Sequence, residues 1–104
     1  MDELIDMIEE TVSELLQYDL GSFGVHAQDL VNRMMVIFPA VIDCYNNPKM
    51  DDVKEDAMYW PGQFERIIQV LERGDYFEVV DALYNETRPN LIELRDMLKK
   101  RGIL

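Results

Sequence analysis

Apolar residues recur along this chain at intervals of three and four, the period of helices that bury one face. Over residues 2–20, Leu4, Ile8, Val12, Leu15, Leu16 and Leu20 share one face, while Asp2, Glu3, Asp6, Glu9, Glu10 and Glu14 fall largely on the other. The acids of the first turn also suit the positive end of a helix dipole. Gly21 is a natural stop, and Gly21-Ser22-Phe23-Gly24 reads as a short connector.

A second helix is predicted over 25–46, with Ala27, Leu30, Val31, Met34, Ile37, Phe38, Val41 and Tyr45 in one stripe. Met35, Ile42 and Cys44 widen it, so this helix should be the most buried. Pro39 lies inside it and predicts a bend near residues 35–39, because an interior proline removes a hydrogen bond and crowds the preceding turn. Asn46-Asn47-Pro48 reads as a turn.

A third helical region, 51–73, opens with Asp52 as cap and Glu55 three residues on. Val53, Ala57 and Trp60 can share a face before Trp60-Pro61-Gly62 interrupts the period, as a kink or as a break with Pro61 starting a new helix. Phe64, Ile67, Ile68 and Leu71 resume it until Gly74. The last helix, 75–101, starts at Asp75 with Glu78 three residues on. Its stripe is Tyr76, Val80, Leu83, Thr87, Leu91, Leu94 and Leu98, with a kink expected at Pro89 and with Lys99, Lys100 and Arg101 in the final turn before Gly102. No strand-length alternation is visible. The fold expected is all-α: one domain, 1–104, a single antiparallel bundle of four main helices.

Charge sharpens this picture. Residues 1–60 carry 13 acids and 3 bases, and residues 61–104 carry 8 acids and 7 bases, within a net charge of −11. That balance disfavours phosphate neutralisation, hence nucleic acid, and anionic membrane surfaces. No apolar run reaches the 18 or so residues of a membrane span. Met1-Asp2-Glu3 lacks the basic start of a secretory signal, and the single Cys44 suits a reducing compartment, so a cytoplasmic setting is expected.

Reactive chemistry finds little support. His26 and Cys44 are too few for zinc, no Glu-x-x-His pairs exist for a di-iron bundle, and Asp51, Asp52, Glu55 and Asp56 lack calcium-loop spacing. Those four acids read as a helix cap facing water. Phosphate-binding glycine loops are absent. Cys44 on an apolar helix reads as a buried, inert thiol about five turns from His26. No cofactor, metal or catalytic residue is assigned.

Two segments remain as candidates. In Tyr59-Trp60-Pro61-Gly62-Gln63-Phe64, the aromatics either fill the space of a bend or line a groove, with carbonyls freed by Pro61 as polar handles. In Asp81 to Leu91, Tyr84 either packs at the core edge with its hydroxyl on a carboxylate, or joins Glu86 and Arg88 in holding a polar ligand. Gly74-Asp75-Tyr76, followed by Asp81-Ala82-Leu83-Tyr84-Asn85-Glu86 and Pro89-x-Leu91, resembles the C-terminal half of a family of small proteins of Gram-positive bacteria. Its members show Gly-Asp, then Asp-x-Leu-x-Tyr-Glu, then a Pro. Here Asn85 stands at the Glu position, or Glu86 is displaced by one. The resemblance implies an all-helical bacterial cytosolic domain with no assigned catalytic residues.

The function expected is a non-enzymatic interaction or adaptor bundle. The alternative is a small-ligand binder or enzyme with a polar pocket at the proline-bent helices. A third reading is a chaperone-like bundle that shields an apolar helix of another protein, which requires an exposed apolar strip. The interaction surface is expected at Asp6, Glu9, Glu10 and Glu14, with Tyr59, Trp60, Tyr84, Glu86 and Arg88. The partner is expected to be a basic protein or a second copy, whose Lys99-Lys100-Arg101 would meet the acidic first helix.

Overall fold

The computed structural model describes residues 2–17 and 23–104, with side chains in the second helix described from Ala27 on. Leu20, Gly21, Ser22 and the side chain of His26 therefore lie outside the described residues. Every regular element among the described residues is helical.

The first helix, α1, spans Asp2–Gln17 and buries Ile5, Ile8, Thr11, Val12 and Leu15. The buried face is turned slightly from the expected one: Ile5 enters it and Leu16 is exposed. The second, α2, spans Phe23–Asp43, so Phe23 and Gly24 are helical rather than part of a connector. It buries Leu30, Met34, Ile37, Phe38 and Val41, but Met35 is 61% exposed and Val36 58%. The stripe therefore does not widen through Met35, and α2 is one-sided. Pro39 sits on its exposed side, where the Met35 carbonyl that lacks a proline N–H belongs to a solvent-facing turn.

The third region departs most from expectation. A 3-10 turn, Cys44–Asn46, leads to a 3-10 segment, Pro48–Met58. Eleven residues is long for such a helix. The segment is in fact two pieces joined at Val53, whose φ of −117° and ψ of 15° are not helical. Its cap is Asn47, whose side chain accepts the Lys49 N–H at 2.9 Å, not Asp52. Asp52 is paired instead with Arg101. Met50 is fully buried although no stripe included it. The third α-helix, α3, then spans Tyr59–Arg73. Pro61 thus neither kinks nor starts a helix. It occupies the first turn, where backbone N–H groups have no partner within the helix and their loss is harmless.

Gly74 ends α3 in the left-handed region, φ 69°, and donates its N–H to the Leu71 carbonyl at 3.0 Å. A Cβ there would meet nothing within 4 Å. Gly74→Ala is therefore expected to cost only the backbone strain, about 1–2 kcal/mol, read as a lowered urea midpoint with an unchanged m-value.

The C-terminal helix comprises α4 (Tyr76–Asp81), a π-helical turn (Ala82–Thr87) and α5 (Arg88–Lys100). Asp75 caps it as expected, accepting the Glu78 N–H at 3.1 Å. In an α-turn the Pro89 ring would crowd the Asn85 carbonyl four residues back. The wider turn avoids this: the Arg88 N–H bonds to the Leu83 carbonyl, five residues back. The π turn also answers a problem in the apolar pattern. Leu83, Thr87 and Leu91 are separated by two four-residue steps, each overshooting an α-turn by about 40°. The wider turn absorbs the drift, and all three side chains are buried on one line with Val79, Leu94 and Leu98.

This helix lies against both α1 and α3, and contacts with each run in reverse chain order. On α1, Asp2 meets Arg95 at 3.0 Å, Glu9 meets Arg88 at 2.8 Å, and the Leu15 carbonyl accepts from the Tyr76 hydroxyl. On α3, Tyr59 meets Asn90 at 2.8 Å, Gln63 meets Thr87 at 3.1 Å and Arg73 meets Glu78 at 3.1 Å. The α2 helix joins α3 through Phe38, whose ring centroid is 5.3 Å from that of Phe64. No helix among the described residues is long and apolar enough to cross a membrane.

Candidate functional site

A groove of about 740 Å³ opens between α5 and the junction of the 3-10 segment with α3. Its floor is aromatic and built by three separate elements. Trp60, 2% exposed, donates its indole N–H to the Tyr45 hydroxyl at 3.1 Å. Tyr59 stands edge-on to Trp60 with ring centroids 5.0 Å apart, and its hydroxyl accepts from the Asn90 side chain at 2.8 Å. Leu94 and Met97 of α5 complete the apolar lining. Burial pushes the phenols of Tyr45 and Tyr59 above the usual tyrosine range, so both are neutral hydroxyls at physiological pH.

The rim is charged. Asp56, Glu93 and Asp96 supply carboxylates, and Lys100 and Arg101 supply cations. Arg101 is held by Asp52 and by the Lys49 carbonyl at 2.8 Å. Asp96 meets Arg95 at 3.3 Å. Among the described residues, Asp56, Glu93 and Lys100 have no ion-pair partner.

Next to the groove, a polar cluster joins α3 to the π turn. Gln63, nearly buried, donates its amide to Thr87 Oγ1 at 3.1 Å, to Glu86 Oε1 at 3.3 Å and to the Ala82 carbonyl at 3.4 Å. Thr87 in turn donates to the Ala82 carbonyl at 2.9 Å, and Asn90 donates to the Glu86 carbonyl at 2.7 Å. Side chains thus satisfy carbonyls at the widened turn. Glu86 takes both nitrogens of an Arg66 fork, at 2.8 and 2.7 Å. That fork, reinforced by Gln63, holds the Glu86 carboxyl below the ordinary glutamate range.

The sign of this shift fixes a pH dependence. A carboxyl lowered in the fold contributes stability above its unfolded value, about 4.3, and loses it as pH falls through the folded value. Glu86→Gln is therefore expected to be less stable than the wild type at pH 6. The gap should close progressively as pH drops below about 4. Urea midpoints at the two ends of this range check it. A gap that persists in acid would place the contribution elsewhere.

The structure divides the residues singled out from sequence. Tyr59 and Trp60 do line a groove, but Phe64 does not; it packs half-buried on Phe38. The carbonyl that Pro61 would free, that of Ala57, faces the Tyr59 N–H. Tyr84, Glu86 and Arg88 form no common pocket. Glu86 turns to α3, whereas Arg88 turns to α1, with its guanidinium 5.1 Å from the Tyr84 ring centroid. Tyr84 uses its ring for that contact and is 46% exposed.

The acids of α1 divide as well. Glu9 is answered by Arg88, and Glu14 by Arg33 at 2.6 Å. Arg33 also donates to Thr11 at 3.1 Å. The surplus shrinks to Glu3, Asp6 and Glu10, which fall on one outward line of the helix. Lys99 lies 4.0 Å from Asp2 of the same chain, so one of the three C-terminal bases meets α1 within the molecule, while Arg101 meets Asp52.

Burial pushes the Cys44 thiol up, and the thiol donates to the Ala40 carbonyl at 3.4 Å, which makes it a poor nucleophile. No group of three His, Cys, Asp or Glu among the described residues is placed to hold a metal ion.

The sequence gives no sign of Asn90 and Glu93 as site residues, and it marks Asp56 only as part of a helix cap, Gln63 only within the aromatic segment and Lys100 only within the C-terminal basic turn. Asn90, Glu93, Met97 and Lys100 do recur at steps of three and four along α5. That pattern marks a face, but only the packing of α3 and the 3-10 segment against α5 turns the face into a groove wall. The chain matches no family model, no curated protein and no solved structure.

Proposed function

We propose that the chain is a non-enzymatic interaction module for a basic protein partner. One observation carries this reading. All six arginines are engaged by carboxylates of their own chain, and acids remain exposed without a base at Glu3, Asp6 and Glu10 of α1 and at Asp56 and Glu93 of the groove. None of these five acids is paired with a base of the chain, so a cationic partner can answer them, and the net charge of −11 steers such a molecule inward.

The test is the fluorescence anisotropy of a labelled lysine- and leucine-rich peptide added to the whole chain. Binding at low salt that weakens as salt is raised is the expected result. No binding at low salt, or binding indifferent to salt, overturns the reading.

The groove volume of about 740 Å³ also suits a small molecule. A thermal-shift screen with metabolites separates that alternative, since a ligand at 100 times its Kd adds about 2.7 kcal/mol. Self-association through the C-terminal bases has less to recommend it, because Lys99 and Arg101 are used within the chain. A bacterial cytosolic setting belongs to the same proposal and rests on the C-terminal motif and the single cysteine.

A further inference from the structure

Resting on that reading, we infer that the groove beside α5 is the docking site, and that its occupant is a short helical segment of the partner carrying Lys or Arg one turn from an apolar side chain. The indole N–H of Trp60 is spent on Tyr45, and the Tyr59 hydroxyl already accepts from Asn90. The floor therefore presents ring and aliphatic surface, which suits an apolar side chain or the stem and head of a cation over an aromatic face.

The rim sets the order of groups along the occupant. Glu93, Met97 and Lys100 follow one line of α5, with Glu93 and Met97 about one turn apart and Glu93 and Lys100 about two turns, roughly 10 Å. Asp56 adds a second unpaired carboxylate from the opposite wall. A segment laid along α5 thus meets acid, then apolar surface, then a base. Its own order is a cation, an apolar side chain one turn on, and a neutral or acidic residue beyond. A simple amine would reach only the first of these. The volume has room for the side chains of such a segment, not for a folded domain.

The chain supplies its own reporter. Trp60 is its one tryptophan and lies under the groove, edge-on to the more exposed Tyr59, so its emission reads occupancy through the side chains that cover it. The probe is the peptide Lys-Lys-Ala-Leu-Leu-Ala-Ala-Gln, which carries that order along one helical line, titrated into the whole chain at low salt. Its controls are the same peptide with Glu for every Lys, and spermidine. A saturable change in Trp60 emission with the lysine peptide alone is expected. Asp56→Asn with Glu93→Gln should weaken it by at least about tenfold, or 1.4 kcal/mol. Removing three exposed charges outside the groove lining, by Asp29→Asn, Glu65→Gln and Glu72→Gln, should leave it within about twofold, which is under 0.5 kcal/mol. Both sets of side chains are exposed or at the rim, and the control peptides test the site even without variants.

Equal weakening by the variant of Asp29, Glu65 and Glu72 overturns the groove as the site, because net charge alone would then explain binding. Spermidine saturating the signal at the same affinity overturns the peptide as occupant. Salt-dependent anisotropy with no change in Trp60 emission overturns the groove and leaves the interaction module standing. No binding by either readout overturns both.

Discussion

Trp60→Ala is expected to lower stability by about 3–5 kcal/mol, the range for emptying a large aromatic site. That is a large share of the 5–15 kcal/mol typical of a whole domain. Trp60 joins three elements: its ring lies 6.1 Å from Phe38 of α2, it forms the start of α3, and its N–H reaches Tyr45 after α2. Removing it opens a cavity where these elements meet and takes the buried Tyr45 hydroxyl's donor away. Tyr45→Phe isolates the second effect. It leaves the indole N–H buried without an acceptor, at about 1–3 kcal/mol. Trp60→Phe with Tyr45→Phe removes donor and acceptor together, so its cost should fall short of the sum of the two single changes. Urea denaturation of the wild type, Trp60→Phe, Tyr45→Phe and the double variant completes the cycle. Strict additivity would mean that the bond between the two rings contributes nothing.

The periodicity of the chain was enough to find the helices, because each buries one face and repeats at three and four. It placed the α1 and C-terminal stripes nearly correctly and identified Asp75 as a cap. It failed where tertiary contacts overrode local signals. Asp52 resembles a cap but is held by Arg101, 49 residues away. Met50 is buried by neighbours distant in sequence, in a segment with no helical stripe of its own.

The site was legible only in part, for a related reason. Tyr59 and Trp60 stood out because aromatics beside Pro61 and Gly62 are conspicuous. Glu93 did not, because charged residues on an outer helix face look alike until a second wall stands opposite. The charges of α1 show the converse. They form an acidic face along the helix, yet Glu9 and Glu14 are neutralised by Arg88 and Arg33 from two other helices.

The π turn ahead of Pro89 gives the second large expected effect, through register rather than volume. Deleting exposed Asn85 removes the extra residue of the wide turn. Leu83, Thr87 and Leu91 would then step by three and four, which an ordinary α-helix keeps on one face. The register of both halves survives. Pro89, however, returns to the interior of an α-helix, at a cost of about 3 kcal/mol. Combining the deletion with Pro89→Ala removes that cost, so the double variant should recover most of the lost stability. Deleting exposed Glu65 from α3 is the comparison. That helix has no wide turn to give up, so Ile67 and Val70 would rotate by about 100° relative to Trp60 and Gln63. At least two buried side chains must leave the core, each at about 2–5 kcal/mol, and the variant should be unfolded by circular dichroism at 25 °C. If Pro89→Ala fails to rescue the Asn85 deletion, the wide turn is not there to accommodate the proline. The polar cluster of Gln63, Thr87 and the Ala82 carbonyl would then be what holds it open.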